Sequence, residues 1–289
     1  MEKKLILGTT QFGLSYGINN KVGQISNNEA AKILDYAYEK DLVILDTAPV
    51  YGNSEKLIGD YLKKNKHKEF RIITKISSNK ESLSQQFLKS LQNMRVEKVN
   101  TILFHSIELY KHFKSEINSF LEKFKGSRFN ELGVSLYTND DIISVIGDKR
   151  IDRVQVPFNL LDNASKRESV FLELKADSKK VDTRSIFLQG LFFKPPPEIP
   201  FFFNPIREEL FSLHKLSKDF RISINCIALT YAIQKNYIDS VLIGVDSFNH
   251  LKKNLSSINN EIPKELSNII DSINIKDEHI LNPSLWPKF

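Results

Sequence analysis

Short apolar runs alternate with helix-like patterns along the whole of this 289-residue chain, and this alternation limits the fold more than any other feature. The runs have the length and β-branched content of buried strands, and the stretches between them carry apolar residues at helical spacing. Strand–helix alternation with short connections favours an α/β fold, a closed (β/α)8 TIM barrel that forms one domain over residues 1–289. The eight apolar runs are residues 5–7, 43–45, 71–74, 101–104, 132–135, 153–157, 185–187 and 241–243.

An open doubly wound sheet is the alternative to the barrel. Its dinucleotide-binding fingerprint, Gly-x-Gly-x-x-Gly, is expected directly after the first strand. The chain has Gly8-Thr9-Thr10-Gln11-Phe12-Gly13 at this place, which lacks the pattern, so the barrel is favoured. Among the helix boundaries, Asn28 is predicted to cap a helix, and another helix is predicted over residues 140–146.

Two segments differ from the short connections elsewhere. The loop at about 191–205 contains three consecutive prolines, which are predicted to exclude a helix, and a run of three phenylalanines. At the C-terminal face of a barrel such a loop is either a lid or wall of the substrate site, or an apolar loop packed on the barrel rim. The sequence leaves open whether it acts as a lid or as an interface. The tail from about residue 276, with Trp286, is expected to fold back over the barrel mouth.

Composition excludes several classes of protein. No apolar stretch approaches the ~18 residues of a membrane span, and the apolar segment at the start is too short for a secretory signal. The single cysteine, Cys226, cannot form an internal disulfide and is expected to be a core thiol, so a cytoplasmic protein is predicted. The net charge of +6 fits either an anionic ligand or a lysine-rich solvated surface. We expect no nucleic-acid or membrane partner, and the sequence indicates no oligomeric state.

Four polar residues lie at or just past the ends of three neighbouring runs: Asp46, Tyr51, Lys75 and His105. The C-terminal ends of barrel strands meet at one mouth, where active sites of this fold are built. Each residue is weak evidence alone, since a single lysine after a strand usually faces solvent. Together they predict a site in which titratable groups from successive strands converge.

The four residue types suit reduction of a carbonyl group. Hydride transfer to a carbonyl creates an alkoxide that needs a proton, and a phenol of pKa ~10 donates poorly at neutral pH unless its phenolate is stabilised. A buried ammonium stabilises it, and a carboxylate keeps the ammonium charged. We therefore predict Tyr51 as general acid, Lys75 as its electrostatic partner and Asp46 as the anchor of Lys75. His105 is predicted to orient the substrate carbonyl.

The pattern Asp46-Thr47-Ala48-x-x-Tyr51-Gly52-x-Ser54-Glu55, followed by Thr74-Lys75 and His105, resembles the aldo-keto reductase superfamily over residues 5–255. The resemblance implies a small-molecule carbonyl substrate and a nicotinamide nucleotide, NADP(H) rather than NAD(H), bound across the mouth without a Rossmann fold. It implies no metal. The cofactor contacts that it implies are Gly8, Thr9, Asp46, Ser135, Gln155, Arg184, Ser185, Leu188, Gln189, Gly190, Ile243, Gly244, Asp246, Ser247, His250 and Asn254.

Four positions differ from the pattern common in the superfamily. Arg184 stands where many members have an aromatic residue that stacks on the nicotinamide. Gly244 and His250 stand where a lysine and an arginine often bind a 2′-phosphate, and Leu136 replaces an asparagine. The segment 184–190 resembles a bacterial branch often linked to surface-polysaccharide metabolism. The substrate is therefore expected to be sugar-like or anionic.

Two other functions remain open at this point. The altered cofactor contacts are compatible with a regulatory protein that senses nicotinamide nucleotides on the same barrel with little turnover. The second is a barrel isomerase or aldolase in which Lys75 forms a Schiff base with the substrate. It needs a lysine with a lowered pKa, whereas Asp46 is expected to keep Lys75 protonated.

Overall fold

The computed structural model describes residues 4–258 and 261–287, and their eight parallel strands close into a barrel in sequence order. Strand β8 pairs with β1 and closes the ring, with Leu5 opposite Val241 and Gly8 opposite Gly244. The predicted (β/α)8 barrel is confirmed. The strands are β1 Leu5–Gly8, β2 Ile44–Asp46, β3 Arg71–Ile76, β4 Thr101–Phe104, β5 Glu131–Ser135, β6 Arg153–Pro157, β7 Lys180–Arg184 and β8 Ser240–Gly244.

Helices connect the strands and pack their apolar faces on the outside of the barrel, where they share one large hydrophobic core. Several of their N-terminal ends carry side-chain caps, as at Ser82, Ser106 and Asn163. The helices are α1 Thr10–Gly13, α2 Asn27–Glu39, α3 Ser54–Lys64, α4 Leu83–Met94, α5 Ile107–His112, α6 Ile117–Phe124, α7 Asn139–Ile143, α8 Ala164–Ala176, α9 Arg207–Asp219, α10 Ile224–Ile233, α11 Phe248–Ser257 and α12 Lys264–Asp271.

A floor of inward-facing side chains lies inside the barrel. Ile6, Ile73 and Leu103 form an apolar cluster of their own, with Ile44 and Leu242 packed against it. Because strand side chains at i and i+2 share a face, Ile44, Ile73 and Leu103 lie one layer below Asp46, Lys75 and His105.

The floor is ionic on the other side of the barrel. In the same layer of β6 and β7, Arg153 donates to Asp182 over 2.5 Å, and it also donates to Glu131 over 2.8 Å. These two strands continue upward to Gln155 and Arg184, which lie two residues further along them. One half of the floor is therefore apolar, and the other half is a buried ion pair.

Strand β7 differs from the prediction. Residues 185–187 were expected in this strand, but it ends at Arg184, and Ser185 opens the following loop with a left-handed φ of 61°. The inward positions of the true strand carry Asp182 and Arg184, so it has no apolar run. The apolar residues that suggested a strand, Ile186 and Phe187, belong to the loop instead.

Local boundaries differ at three further places. The helix predicted to follow Asn28 is capped by Ser26, whose hydroxyl accepts the Glu29 N–H. The helix predicted over 140–146 ends at Ile143. The proline-rich segment contains one turn of 3₁₀-helix, Pro196–Glu198, because proline is tolerated in a first helical turn, where its missing N–H is not needed.

The connection from β7 to α9 contains three 3₁₀-helices, of which the first and last are Leu188–Phe193 and Phe201–Ile206. Phe203 is fully buried and meets Trp286 of the C-terminal tail edge-to-face, with ring centroids 4.8 Å apart. Phe201 is 85% exposed, so only part of the aromatic run packs inward.

Some predictions lie beyond the described residues or concern membranes and metals. The predicted domain limits at residues 1 and 289, and the last two residues of the tail, fall outside the described part of the chain. Across 4–258 and 261–287, no helix is long and apolar enough to cross a membrane. In those same ranges, no three histidine, cysteine, aspartate or glutamate side chains are grouped to bind a metal ion.

Candidate active site

The barrel brings the four predicted residues to its C-terminal mouth. Asp46 is the last residue of β2, and Tyr51 lies on the loop between β2 and α3. Lys75 is the residue before the end of β3, which continues to Ile76, and His105 directly follows β4. Parallel strands end at the same edge, and for this reason residues far apart in sequence meet here.

Lys75 is the centre of a buried hydrogen-bond cluster. Its ammonium donates to Asp46 Oδ1 over 2.5 Å, to the Thr47 carbonyl over 3.0 Å and to Tyr51 Oη over 3.2 Å. A lysine has three N–H groups, so these three acceptors satisfy it completely. Lys75 and Asp46 are 1% and 2% exposed, and little water reaches the pair.

The electrostatics of the cluster keep Lys75 charged. Burial alone would lower its pKa, but the charge of Asp46, the Tyr51 phenol and the hydrogen bonds to both outweigh it and raise the pKa above the ordinary value. A Schiff-base lysine needs a neutral amine, which this environment disfavours. The ammonium instead stabilises negative charge on the phenol oxygen that it contacts.

Asp46 is held on both sides. Its second carboxylate oxygen accepts a hydrogen bond from Gln155 Nε2 over 2.9 Å, and its carbonyl accepts one from Thr9 Oγ1 over 2.9 Å. The carboxylate is therefore fixed in position before any ligand binds. It reaches Lys75 with one oxygen and Gln155 with the other.

His105 lies beside Tyr51 as a neutral ring. The two rings meet edge-to-face with centroids 6.0 Å apart, and His105 Nδ1 is 3.1 Å from Ser77 Oγ. Burial, together with the positive charges of Lys75 and Arg184, lowers the pKa of His105 to about 3. The imidazole is uncharged at neutral pH and can donate one hydrogen bond.

These residues open into one cavity of about 520 Å³ at the barrel mouth. Tyr51, His105 and Asp46 line it, whereas Lys75 lies behind them. Most of the predicted cofactor contacts also line this cavity, and they come from six strands, the loops that follow them and helix α11. They are Gly8, Asp46, Ser135, Gln155, Arg184, Ser185, Gln189, Gly190, Gly244, Asp246, His250 and Asn254.

Four predicted contacts lie outside the cavity lining. Thr9 is buried, and its hydroxyl bonds to Asp46. Leu188 and Ile243 point into the hydrophobic core. Ser247 caps α11, where its hydroxyl accepts the His250 N–H. Thr9, Leu188 and Ile243 are thus chain neighbours of the lining residues Gly8, Gln189 and Gly244, rather than lining residues themselves.

The sequence did not indicate a second group of lining residues: Gln11, Tyr16, Gly17, Asn19, Asn20, Tyr137 and Asn225. Most of them belong to the loop from β1 to α2. The only available signal was general, because loops at the C-terminal face of a barrel line its site. No periodicity marks which loop residues point inward.

Two of the loops that line the cavity are joined directly by a backbone hydrogen bond. The Ile18 N–H donates to the Gln189 carbonyl over 3.1 Å and joins the β1–α2 loop to the loop after β7. The approach is close, since a Cβ on Gly190 would lie 2.9 Å from the Cβ of Asn19. Gly190 also has a φ of 88°, which favours glycine.

Comparisons with known proteins agree with this architecture. The sequence model of the Aldo/keto reductase family matches residues 4–275. Uncharacterized oxidoreductase YqkF of Bacillus subtilis (strain 168) is 21% identical over 285 residues, which cover 89% of this chain and 91% of that protein. L-galactose dehydrogenase of Arabidopsis thaliana is 24% identical over 269 residues, 86% of this chain and 83% of that one.

Two further relatives differ in how much of each chain the match covers. The match to Oxidoreductase sirO of Leptosphaeria maculans is 26% identical over 147 residues and covers 48% of this chain but only 44% of that protein. Among solved structures, aldo-keto reductase AKR11C1 from Bacillus halodurans in its holo form has the same fold. Its TM-score is 0.73 at 18% identity, with 96% of this chain and 95% of that one covered. With the family model matched along nearly its whole length, this chain belongs to the aldo/keto reductase family.

Proposed function

We propose that this protein reduces an aldehyde or ketone with a nicotinamide nucleotide and that Tyr51 donates the proton. The observation that carries the proposal is the buried contact of Lys75 with both Asp46 and Tyr51, over 2.5 and 3.2 Å. A phenol hydrogen-bonded to a fixed ammonium is able to release a proton and hold the resulting charge. The same cavity contains His105, which offers a neutral hydrogen-bond donor.

Each residue then has a defined task. When bound, the nucleotide supplies the hydride that adds to the carbonyl carbon. In the tautomer whose Nδ1 accepts a hydrogen bond from Ser77 Oγ, His105 carries its proton on Nε2 and donates from there to the carbonyl oxygen. Tyr51 transfers its proton to that oxygen, and Lys75 stabilises the phenolate that remains. Solvent returns the proton to Tyr51, so the product is an alcohol and the residues end unchanged.

The cavity residues fit a nicotinamide nucleotide chemically. Gln155 uses its amide N–H on Asp46, which leaves its oxygen to accept from a carboxamide. Gln11 Oε1 is buried in the cavity wall and has no hydrogen-bond partner within residues 4–258 and 261–287, as expected of a group that bonds to a ligand. His250 and Lys253 add basic groups where β8 leads into α11. The preference for NADP(H) stays a prediction.

A titration followed by turnover tests the proposal. Trp286 is the only tryptophan, and its tail contributes Pro283 and Ser284 to the cavity, so its fluorescence should report binding of NADPH or NADH. Oxidation of the bound nucleotide with 4-nitrobenzaldehyde is expected to follow. Binding without turnover of any aldehyde or ketone would contradict the reductase and favour the nucleotide sensor.

Substitution of the proton donor tests the mechanism. Tyr51→Phe should lower kcat by about 100-fold or more, the usual contribution of a general acid, while the Kd of the nucleotide changes little. Tyr38→Phe removes a hydroxyl from the outside of the barrel, at the end of α2, and serves as the control. A Tyr51→Phe protein as fast as the control would exclude Tyr51 as proton donor.

A further inference from the structure

Arg184 is a charged cavity residue without a charged partner. It is half-buried at the end of β7, and among the described residues no carboxylate forms an ion pair with it. The two arginines that are buried more deeply do have such partners: Arg153 contacts Glu131 and Asp182, and Arg167 contacts Asp162. A partly desolvated charge that lacks a counter-ion is costly, so a ligand that supplies one gains affinity.

The guanidinium is held in a fixed orientation. It stacks on the Tyr137 ring, with Cζ 4.0 Å from the ring centroid. Two of its N–H groups donate over 3.3 Å, one to Ser185 Oγ and one to the Leu136 carbonyl. A guanidinium has five N–H groups, so three remain unused in a residue that lines the cavity.

Arg184 also lies close enough to the reacting groups to affect them. Its charge acts on His105, where it adds to burial and to Lys75 in lowering the pKa. The charge of Lys75 is already balanced by Asp46, whereas that of Arg184 is not. The mouth beside Tyr51 and His105 therefore carries one uncompensated positive charge.

We propose that Arg184 determines substrate specificity, and that the carbonyl substrate carries an anionic oxygen group, a carboxylate or a phosphate, that binds its guanidinium. The inference rests on the proposed carbonyl reduction. A planar guanidinium with adjacent free N–H groups matches such oxygens in a bidentate arrangement that a lysine does not reproduce. The anion would fix one end of the substrate while His105 and Tyr51 contact the carbonyl at the other.

Matched benzaldehydes test the proposal in the complete enzyme. We would compare 2-, 3- and 4-carboxybenzaldehyde with 4-formylbenzamide, a neutral compound of nearly the same shape, and with 4-formylphenyl phosphate. Wild type should show a kcat/KM at least about 10-fold higher for one of the anionic aldehydes than for the amide, as expected for a hydrogen bond to a charged group. The preferred anion distinguishes carboxylate from phosphate.

Three variants separate the effect of Arg184 from that of net charge. Arg184→Gln should lower the ratio of kcat/KM for the preferred anion to kcat/KM for the amide by about 10- to 100-fold, whatever its effect on the amide alone. Arg184→Lys should recover only part of the loss. Arg128→Gln removes one positive charge from an exposed site outside the cavity and should behave as wild type. Equal preference in wild type and Arg184→Gln overturns the proposal.

Binding measurements keep this inference distinct from the proposed function. If no aldehyde is reduced, the proposed function fails, but binding of the product 4-(hydroxymethyl)benzoate can still be measured by calorimetry with oxidised nucleotide present. Weaker binding to Arg184→Gln, without a change for 4-(hydroxymethyl)benzamide, supports an anion site. Equal binding to both proteins overturns it. If Arg184→Gln instead weakens the nucleotide alone, the guanidinium serves the cofactor and the proposal is wrong.

Discussion

Removal of the Lys75 ammonium should lower both the stability and the activity of the protein, and a second substitution at Asp46 should restore only the stability. Lys75→Met leaves the Asp46 carboxylate at 2% exposure with Gln155 as its remaining side-chain donor. Loss of one partner of a buried ion pair costs about 3–5 kcal/mol of unfolding free energy. For a domain of this size each kcal/mol corresponds to about 2–4 °C, so we expect Tm to fall by about 6–20 °C.

The double variant Asp46→Asn/Lys75→Met provides the decisive comparison. It removes both charges, and replacing a buried ion pair with neutral groups is often neutral for stability. Urea unfolding should therefore show the double variant more stable than Lys75→Met by at least about 2 kcal/mol. Its carbonyl reduction should stay as slow as that of the single variant, because the ammonium beside Tyr51 is still missing.

Two results would refute this reasoning. If the double variant is as unstable as Lys75→Met, the unpaired carboxylate is not the cause of the instability. If Lys75→Met reduces aldehydes at the wild-type rate, the contact between Lys75 and Tyr51 has no part in proton transfer. Circular dichroism at the assay temperature establishes that each variant is folded before its rate is compared.

Two further predictions concern pH and the nucleotide. An unfolded histidine titrates near pH 6.5 and native His105 near 3, so protons favour the unfolded chain across this window. Stability should therefore fall as the pH drops, and His105 should contribute about 2 kcal/mol of the loss between pH 7 and 5. Urea unfolding of His105→Gln should show a correspondingly smaller loss of stability between pH 7 and 5. A loss equal to that of wild type would contradict the lowered pKa of His105. Separately, His250→Arg should favour NADPH over NADH several-fold in a fluorescence titration, since it adds a permanent charge beside Asp246. An unchanged ratio of the two Kd values would mean that this position does not face the 2′-phosphate.

The barrel could be predicted because most of its strands are buried on both faces and carry continuous apolar runs. Strand β7 was misplaced for a physical reason: its inward residues, Asp182 and Arg184, are charged. The charge of Asp182 is acceptable there only because Arg153 of β6 lies beside it. A pairing between strands cannot be recognised from one segment, so the pattern of β7 alone indicated no strand.

The candidate site was predictable to the extent that it is built on strand ends. The placement of Asp46, Lys75 and His105 follows from where each apolar run stops, and their roles stay predictions. The loop contributions did not follow in the same way. Tyr16 and Tyr137 line the cavity because the loops fold over the mouth, and loop conformation depends on contacts between distant segments such as Ile18 and Gln189.

The floor of side chains beneath the site closes the barrel at its lower end. Ile44, Ile73 and Leu103 fill the layer directly under the reacting groups and offer no hydrogen-bonding atoms to conduct a proton. The ion pair of Arg153 with Asp182 occupies the rest of that layer. In the proposed mechanism, the proton that restores Tyr51 would come from solvent at the mouth, along the route that the substrate uses. A bound substrate would then separate Tyr51 from solvent, so Tyr51 would regain its proton after the alcohol has left.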